Sequence, residues 1–196
     1  AESEVCVVIV PVHLTDTQGA DLSIIESVST EMAESLKPGS LVSYETTLPV
    51  GQTRKLGALI ETGGLQSGVD FDLVFSPERV KSQKVLRHLF DIPKVIGGIT
   101  PEAGARGAAF YKEYLGAPVT IVESLEAAEF VKLAGMVYRD VNIALANELA
   151  GYAEQVGLDF EAVRSAANTD GEAVILIPGI GVGGHCTPVY PHFLIN

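Results

Sequence analysis

The chain has 196 residues, 47% hydrophobic and 19% charged, a composition that excludes a disordered tail or low-complexity linker. A net charge of −12, from 25 acidic against 13 basic residues, leaves no Lys/Arg stripe and argues against nucleic acid as a partner. Apolar runs reach only about six residues, too short to span a membrane, and no secretory leader is expected.

Residues 5–10 (Val5-Cys6-Val7-Val8-Ile9-Val10) are apolar and mostly β-branched, which predicts a parallel strand buried on both faces. Within it Cys6 reads as a small buried hydrophobe. Ser23-Ile24-Ile25-Glu26 reads as a capping box opening a helix to about residue 36, where Lys37-Pro38-Gly39 stops it. Residues 41–45 predict a strand, 53–61 a helix, 71–75 a strand and 95–96 a shorter one. Thr100-Pro101-Glu102 supplies an N-cap, a proline at the first helical position and an acid in the first turn, so a helix runs to about residue 115. Residues 119–122 close the set. This alternation predicts an α/β fold with a mostly parallel, doubly wound sheet.

In such sheets ligands sit beyond the carboxyl ends of the strands, here the loops 11–14, 46–51 and 76–82. No G-x-G-x-x-G stands between a strand and a helix near the start. Residues 179–184 have that spacing but no helix signal behind them.

From Ser124 the character changes. Residues 124–156 predict one long helix with Phe130, Ala134, Val137, Val141, Ala144 and Leu145 in a wide apolar stripe. A second helix is expected at 160–167, then a glycine-rich stretch to Cys186. A boundary near 118–124 divides residues 1–120 from residues 121–196.

Four groups of residues stand out chemically. In Gly183-Gly184-His185-Cys186-Thr187-Pro188 the glycines let backbone approach a ligand, and a thiol follows. Lys132 lies one helical turn after Glu129, which by itself suggests a solvated Glu–Lys pair. Ser76-Pro77-Glu78-Arg79 and Thr46-Thr47-Leu48-Pro49 end strands with an acid and with hydroxyls; either is also an ordinary turn. With two widely separated cysteines, Cys6 and Cys186, no disulfide framework is expected, and a reducing cytoplasm fits.

Taken in order, these segments resemble the UDP-glucose/GDP-mannose dehydrogenase family, most closely the bacterial branch acting on N-acetylated UDP-hexosamines. The likeness is carried by Glu45-Thr46-Thr47-Leu48-Pro49-Val50-Gly51, Ser76-Pro77-Glu78-Arg79-Val80, Ser124-Leu125-Glu126-Ala127-Ala128-Glu129, Lys132-Leu133, Tyr138-Arg139-Asp140-Val141-Asn142-Ile143-Ala144 and Gly181-Val182-Gly183-Gly184-His185-Cys186-Thr187-Pro188. It implies an amino-terminal NAD domain, entered here in its second half, and a central helical domain that dimerises through the 124–156 helix. The glycine fingerprint would lie upstream of Ala1, a third domain would follow, and the segment alone would be inactive.

The resemblance also implies a four-electron oxidation of a UDP-sugar at C6. A first hydride leaves for NAD, the Cys186 thiolate adds to the aldehyde, a second hydride leaves a thioester, and water releases the carboxylate. Lys132 would stabilise the oxyanion. Thr47 and Glu78 would stand near the nicotinamide and the reacting carbon. Val10 and Pro11 would line the cofactor, and Gly183 and Gly184 the sugar nucleotide. Three positions depart from the pattern: Met136 replaces a common Asn, Tyr190 a common Asp, and 170–173 lack an expected Arg. The alternative is a catalytically impaired homologue or a truncated dimerisation module.

Overall fold

The computed structural model describes residues 3–80, 83–184 and 186–195. The chain divides into two compact units, the first ending at Lys132 and the second running from Leu133 to Ile195. In chain order the elements are β1 (Val5–Val8), β2 (His13–Leu14), β3 (Ala20–Asp21), α1 (Ser23–Ser35), β4 (Leu41–Tyr44), α2 (Gln52–Glu61) and β5 (Asp72–Phe75). Then come α3 (Val85–Asp91), β6 (Lys94–Gly98), α4 (Pro101–Leu115), β7 (Val119–Val122), α5 (Leu125–Gln155), α6 (Phe160–Ala167) and α7 (His192–Ile195).

The first unit holds a five-stranded sheet in the order β1-β4-β5-β6-β7. Three of its pairings are parallel, as the βα alternation predicts. The pairing of β5 with β6 is antiparallel. With that reversal β6 starts at the carboxyl end of β5, so residues 76–93 need no crossover along the sheet. Lys94 thereby lies at the end of the sheet where β4 and β5 finish. The central strands are apolar and fully covered: Val42, Tyr44, Leu73, Val74, Phe75 and Ile96 are all buried. Buried Tyr44 shares a 2.5 Å hydrogen bond with Ser29 Oγ, and loss of water around its ring raises its hydroxyl pKa to about 12.

Two glycines of β6 let backbone lie on backbone. A Cβ on Gly97 would come 1.9 Å from the Ser124 carbonyl oxygen, and one on Gly98 would come 2.3 Å from the Gly104 nitrogen. The start of α5 and the first turns of α4 therefore rest directly on the strand. The helix starts follow the sequence signals here. Thr100 Oγ1 accepts from the Ala103 N–H at 3.1 Å with Pro101 behind it, and Ser124 Oγ accepts from the Ala127 N–H at 3.1 Å.

Several expectations are corrected. β1 is not buried on both faces: it ends at Val8, with Val7 43% and Ile9 73% exposed, and among the described residues it is an edge strand paired with β4. Cys6 is half-buried against the core. Ser23 does not cap α1; the N-cap is Leu22, and Ser23 donates both its N–H (3.1 Å) and its hydroxyl (2.6 Å) to the Asp21 carboxylate. An ionised carboxylate two residues upstream is the stronger acceptor and engages the serine first. The short β2–β3 ribbon, α3 and α7 had no periodic signal long enough to announce them.

In the second unit, α5 continues through an unbroken run to Gln155, and Asp159 caps α6 by accepting from the Glu161 and Ala162 N–H groups. Residues 174–179 form no helix or strand. Their backbone is held by side-chain amides instead. Asn142 donates to the Val174 carbonyl (2.8 Å) and accepts from the Leu176 N–H (2.9 Å). Asn168 makes the same two-way contact with Ile175, and Asn147 accepts from the Gly179 N–H. Along α5 the expected apolar stripe faces outward: Val141 is 59% and Leu145 49% exposed. Among the described residues no helix is long and apolar enough to cross a membrane.

Candidate active site

The carboxyl ends of β1, β4 and β5 carry the loops singled out in the sequence, and Glu45 links them. Its N–H donates to the Val8 carbonyl at 3.0 Å and its carbonyl accepts from the Glu78 N–H at 3.2 Å. Its carboxylate receives the Lys94 ammonium at 2.9 Å and the Tyr111 hydroxyl at 2.6 Å. The Lys94 Nζ also lies 4.5 Å from the centre of the Tyr111 ring. Burial, and then the negative charge of Glu45, push the Tyr111 hydroxyl far above its ordinary range, so it stays a donor.

Beyond Glu45 the chain turns. Thr46 Oγ1 donates to the Val10 carbonyl at 2.7 Å, tying the end of β4 to the second residue after β1. Thr47 is buried, Val10 is half-buried against the core, and Pro11 is exposed. Gly51, with φ +85°, turns the chain into α2 in a left-handed conformation that favours glycine.

Glu78 and Lys132 come together at the end of β5. The Lys132 ammonium donates to the Glu78 carbonyl and lies 4.0 Å from its carboxylate. Glu78 Oε1 also accepts from the Val80 N–H. The lysine is largely buried and the glutamate about half exposed, so a cation and a carboxylate face one partly open space. Such a pair can hold an oxyanion and move or orient a proton. Lys81 and Ser82, at the end of the 76–82 loop, lie outside the described residues.

Lys132 is not half of a solvated pair with Glu129. Glu129 is fully buried, and its two oxygens accept from the Gly51 N–H at 2.5 Å and the Thr53 N–H at 2.7 Å. It caps α2 from another helix, as Glu126 on the same face pairs with Arg54. Burial raises the Glu129 carboxyl above its usual range, against the pull of those hydrogen bonds. Beside these strand ends Ile9 and Pro11 are exposed, and the Thr46 hydroxyl bonds the Val10 carbonyl, a mix of apolar surface and hydroxyls that a nicotinamide ring fits. The amino end of α2 offers no phosphate site, because Glu129 already fills it.

Cys186 belongs to the second unit, where it is half-buried and opens a turn: its carbonyl accepts from the Val189 and Tyr190 N–H groups, both at 3.1 Å. Buried Thr187 and Phe193 seat that turn. Gly184, two residues earlier, has φ +113°, and Gly183 has open space where a Cβ would stand. His185 lies outside the described residues. Of the three departures, Tyr190 packs its ring on Phe193, centroids 5.4 Å apart, Met136 is half-buried on α5, and at 170–173 the Asp170 carboxylate accepts from the Glu172 and Ala173 N–H groups. Sequence reasoning missed Lys94, Tyr111, the Glu129 cap and the asparagine contacts. Glu129 and Asn142 stood within motifs already singled out, but nothing in the motifs gave their partners.

Comparison with known proteins gives the family. Residues 126–196 match the central domain of the UDP-glucose/GDP-mannose dehydrogenase family. The chain is 38% identical over 177 residues to a UDP-N-acetyl-D-mannosamine dehydrogenase of Pyrococcus horikoshii, covering 90% of this chain and 42% of that protein. It is 35% identical over 202 residues to the enzyme of that name in Salmonella typhi, covering 99% and 48%. The chain thus spans about half the length of the curated relatives it matches. A solved UDP-D-ManNAc dehydrogenase from Pyrococcus horikoshii superposes with a TM-score of 0.93 at 37% identity, over 99% of this chain and 46% of that one. Residues 1–115 match the family's NAD binding domain, and with more than half of its length so matched the chain belongs to the UDP-glucose/GDP-mannose dehydrogenase family.

Proposed function

We propose that the chain is the nicotinamide-facing part of the NAD domain together with the central domain of a UDP-sugar 6-dehydrogenase, divided near residue 120. The substrate class is a UDP-N-acetylhexosamine, as in the names of the relatives. The observation that carries the reading is the Lys132–Glu78 pair at the carboxyl end of β5, where a doubly wound sheet presents its ligands. NAD, when bound, accepts one hydride in each of two oxidations of the sugar C6.

The chain's own residues do the rest. Val10, Pro11 and Thr47 line the nicotinamide side, and Glu78 faces the reacting carbon and takes or orients the alcohol proton. Lys132 offsets the negative charge that develops on the sugar oxygen. The Cys186 sulfur adds to the aldehyde carbon, carries the acyl group as a thioester and is released when water cleaves it to the carboxylate. Gly183 and Gly184 leave room along the sugar nucleotide. Two copies associate through α5, whose outward apolar stripe needs a partner, and the protein works in the cytoplasm.

The test uses the complete protein with UDP-N-acetylmannosamine and NAD. Two NADH per carboxylate formed is the expected stoichiometry. One NADH would indicate a two-electron alcohol dehydrogenase, and none an impaired homologue; either overturns the reading. Cys186→Ser should accumulate a covalent acyl-enzyme, seen as a mass shift, or stall before the second oxidation.

A further inference from the structure

Lys94 and Glu45 form the most enclosed ion pair among the described residues, their side chains 9% and 13% exposed. A pair of this kind adds little stability as such, since an apolar pair of similar volume often does as well. What it fixes is geometry. One oxygen of Glu45 takes Tyr111 of α4, whose hydroxyl also bonds Ser43 Oγ at 2.8 Å; the other takes Lys94 of β6. Donors from two elements, one on each oxygen, leave the carboxylate no free rotation. Lys94 Nζ in addition lies 3.5 Å from the Ser76 carbonyl, so it grips the ends of both β4 and β5. Those are the strand ends from which Thr47 and Glu78 emerge.

We propose that Glu45, clamped by Lys94 and Tyr111, is the positioning residue of the active site. Its carbonyl fixes the Glu78 N–H, and the Glu78 carbonyl in turn receives Lys132. One carboxylate thus sets the spacing of the strand-end acid, the helix-borne cation and the threonine loop that follows it. This rests on the reading of Glu78 and Lys132 as catalytic residues.

The experiment compares Lys94→Met, Lys94→Arg, Tyr111→Phe and the double variant Glu45→Gln/Lys94→Met in the complete protein, measuring kcat, both KM values and the melting temperature. Lys94→Met should lower kcat by roughly ten- to a hundred-fold, the effect of a small misplacement of reacting groups, with KM for sugar and NAD within about twofold. Lys94→Arg should restore most of the rate. Tyr111→Phe, which keeps the ring and the fold, should lower kcat by about threefold. The double variant, having no unpaired buried charge, should regain the melting temperature but not kcat. Recovery of both, or a folded Lys94→Met with wild-type kcat, would show a merely structural pair and overturn the proposal. If Lys94→Met does not fold, unchanged kcat in Tyr111→Phe overturns it. Glu78→Gln and Lys132→Ala separate the two readings: if they keep full activity, or the wild type has none, the catalytic assignment fails and the proposal with it. If they lose activity while Lys94→Met does not, the positioning role alone fails.

Discussion

The same helix lives two different lives in the two units. In the first, α5 begins with Leu125, Ala128 and Glu129, all fully buried, each facing a partner from elsewhere in the sequence. In the second, Leu145 and Tyr152 on later turns are 49% and 63% exposed, and the backbone of residues 174–179 is bound by asparagine amides. The first unit makes its own core, and the second presents apolar surface. The contrast teaches that hydrophobic periodicity on a helix predicts what will be covered, but not by what.

The largest expected effect is the most direct attack on this comparison. Leu125→Ala should cost about 2–5 kcal/mol of stability by chemical denaturation, the range for a fully enclosed leucine. Leu145→Ala, on the same helix, should cost roughly 0.5 kcal/mol or less in a dissociated chain, because its side chain is already half in water. Equal losses for the two leucines would erase the distinction between the units.

Glu129→Ala should cost about 2–4 kcal/mol at neutral pH, since it strips the partner from two N–H groups at the start of α2. Its pH dependence is also specific. Burial holds the folded-state pKa of Glu129 above its unfolded value, so the protonation-linked share of its stability is fully present below about 4.5 and is lost as pH rises through the folded value, while the hydrogen bonds to Gly51 and Thr53 remain. The advantage of wild type over Glu129→Ala should therefore shrink with rising pH. A growing advantage would mean that the two hydrogen bonds outweigh burial.

Asn142→Ala should cost about 1–2 kcal/mol and act locally. Amides 174–179 should exchange faster with solvent deuterium while those of β4 and β5 keep their protection. Uniform loss across both units would contradict the local clamp.

Arg54→Met is the smallest change, roughly 0.5 kcal/mol, because its partner Glu126 is partly exposed and water screens the pair. Its sign in pH is opposite to that of Glu129. The hydrogen bond from Arg54 lowers the Glu126 pKa, so the contribution is present above about 4.5 and disappears as pH falls through the folded value. Thermal melts of wild type and variant should converge in acid.

The first unit was legible because its signals are local. Residues 95–96 and 119–122 announce strands by composition, and Thr100-Pro101-Glu102 encodes a helix start within three positions. The antiparallel turn of β6 was not legible, since direction is decided by where a chain re-enters a sheet. Among the candidate site residues, Lys132, Glu78 and Cys186 were singled out through motifs at fixed spacing. Glu129 was misread because its partners at 51 and 53 lie more than seventy residues away, while Lys132 sits three positions on. Lys94 and Tyr111 carry no local pattern at all; only the folded sheet brings them to Glu45.

The bare backbone of Gly97 has a consequence for how this protein tolerates change. Because the Ser124 carbonyl rests on that strand with nothing in between, the seat of α5 works like a machined bearing surface with no shim. A single added methyl group would act as the shim, lifting the front of the helix and carrying Lys132, two turns along, off the Glu78 carbonyl. Sequence drift can retune the walls around Lys132 and Glu78, but the clearance between them is set by a position that can accept no side chain.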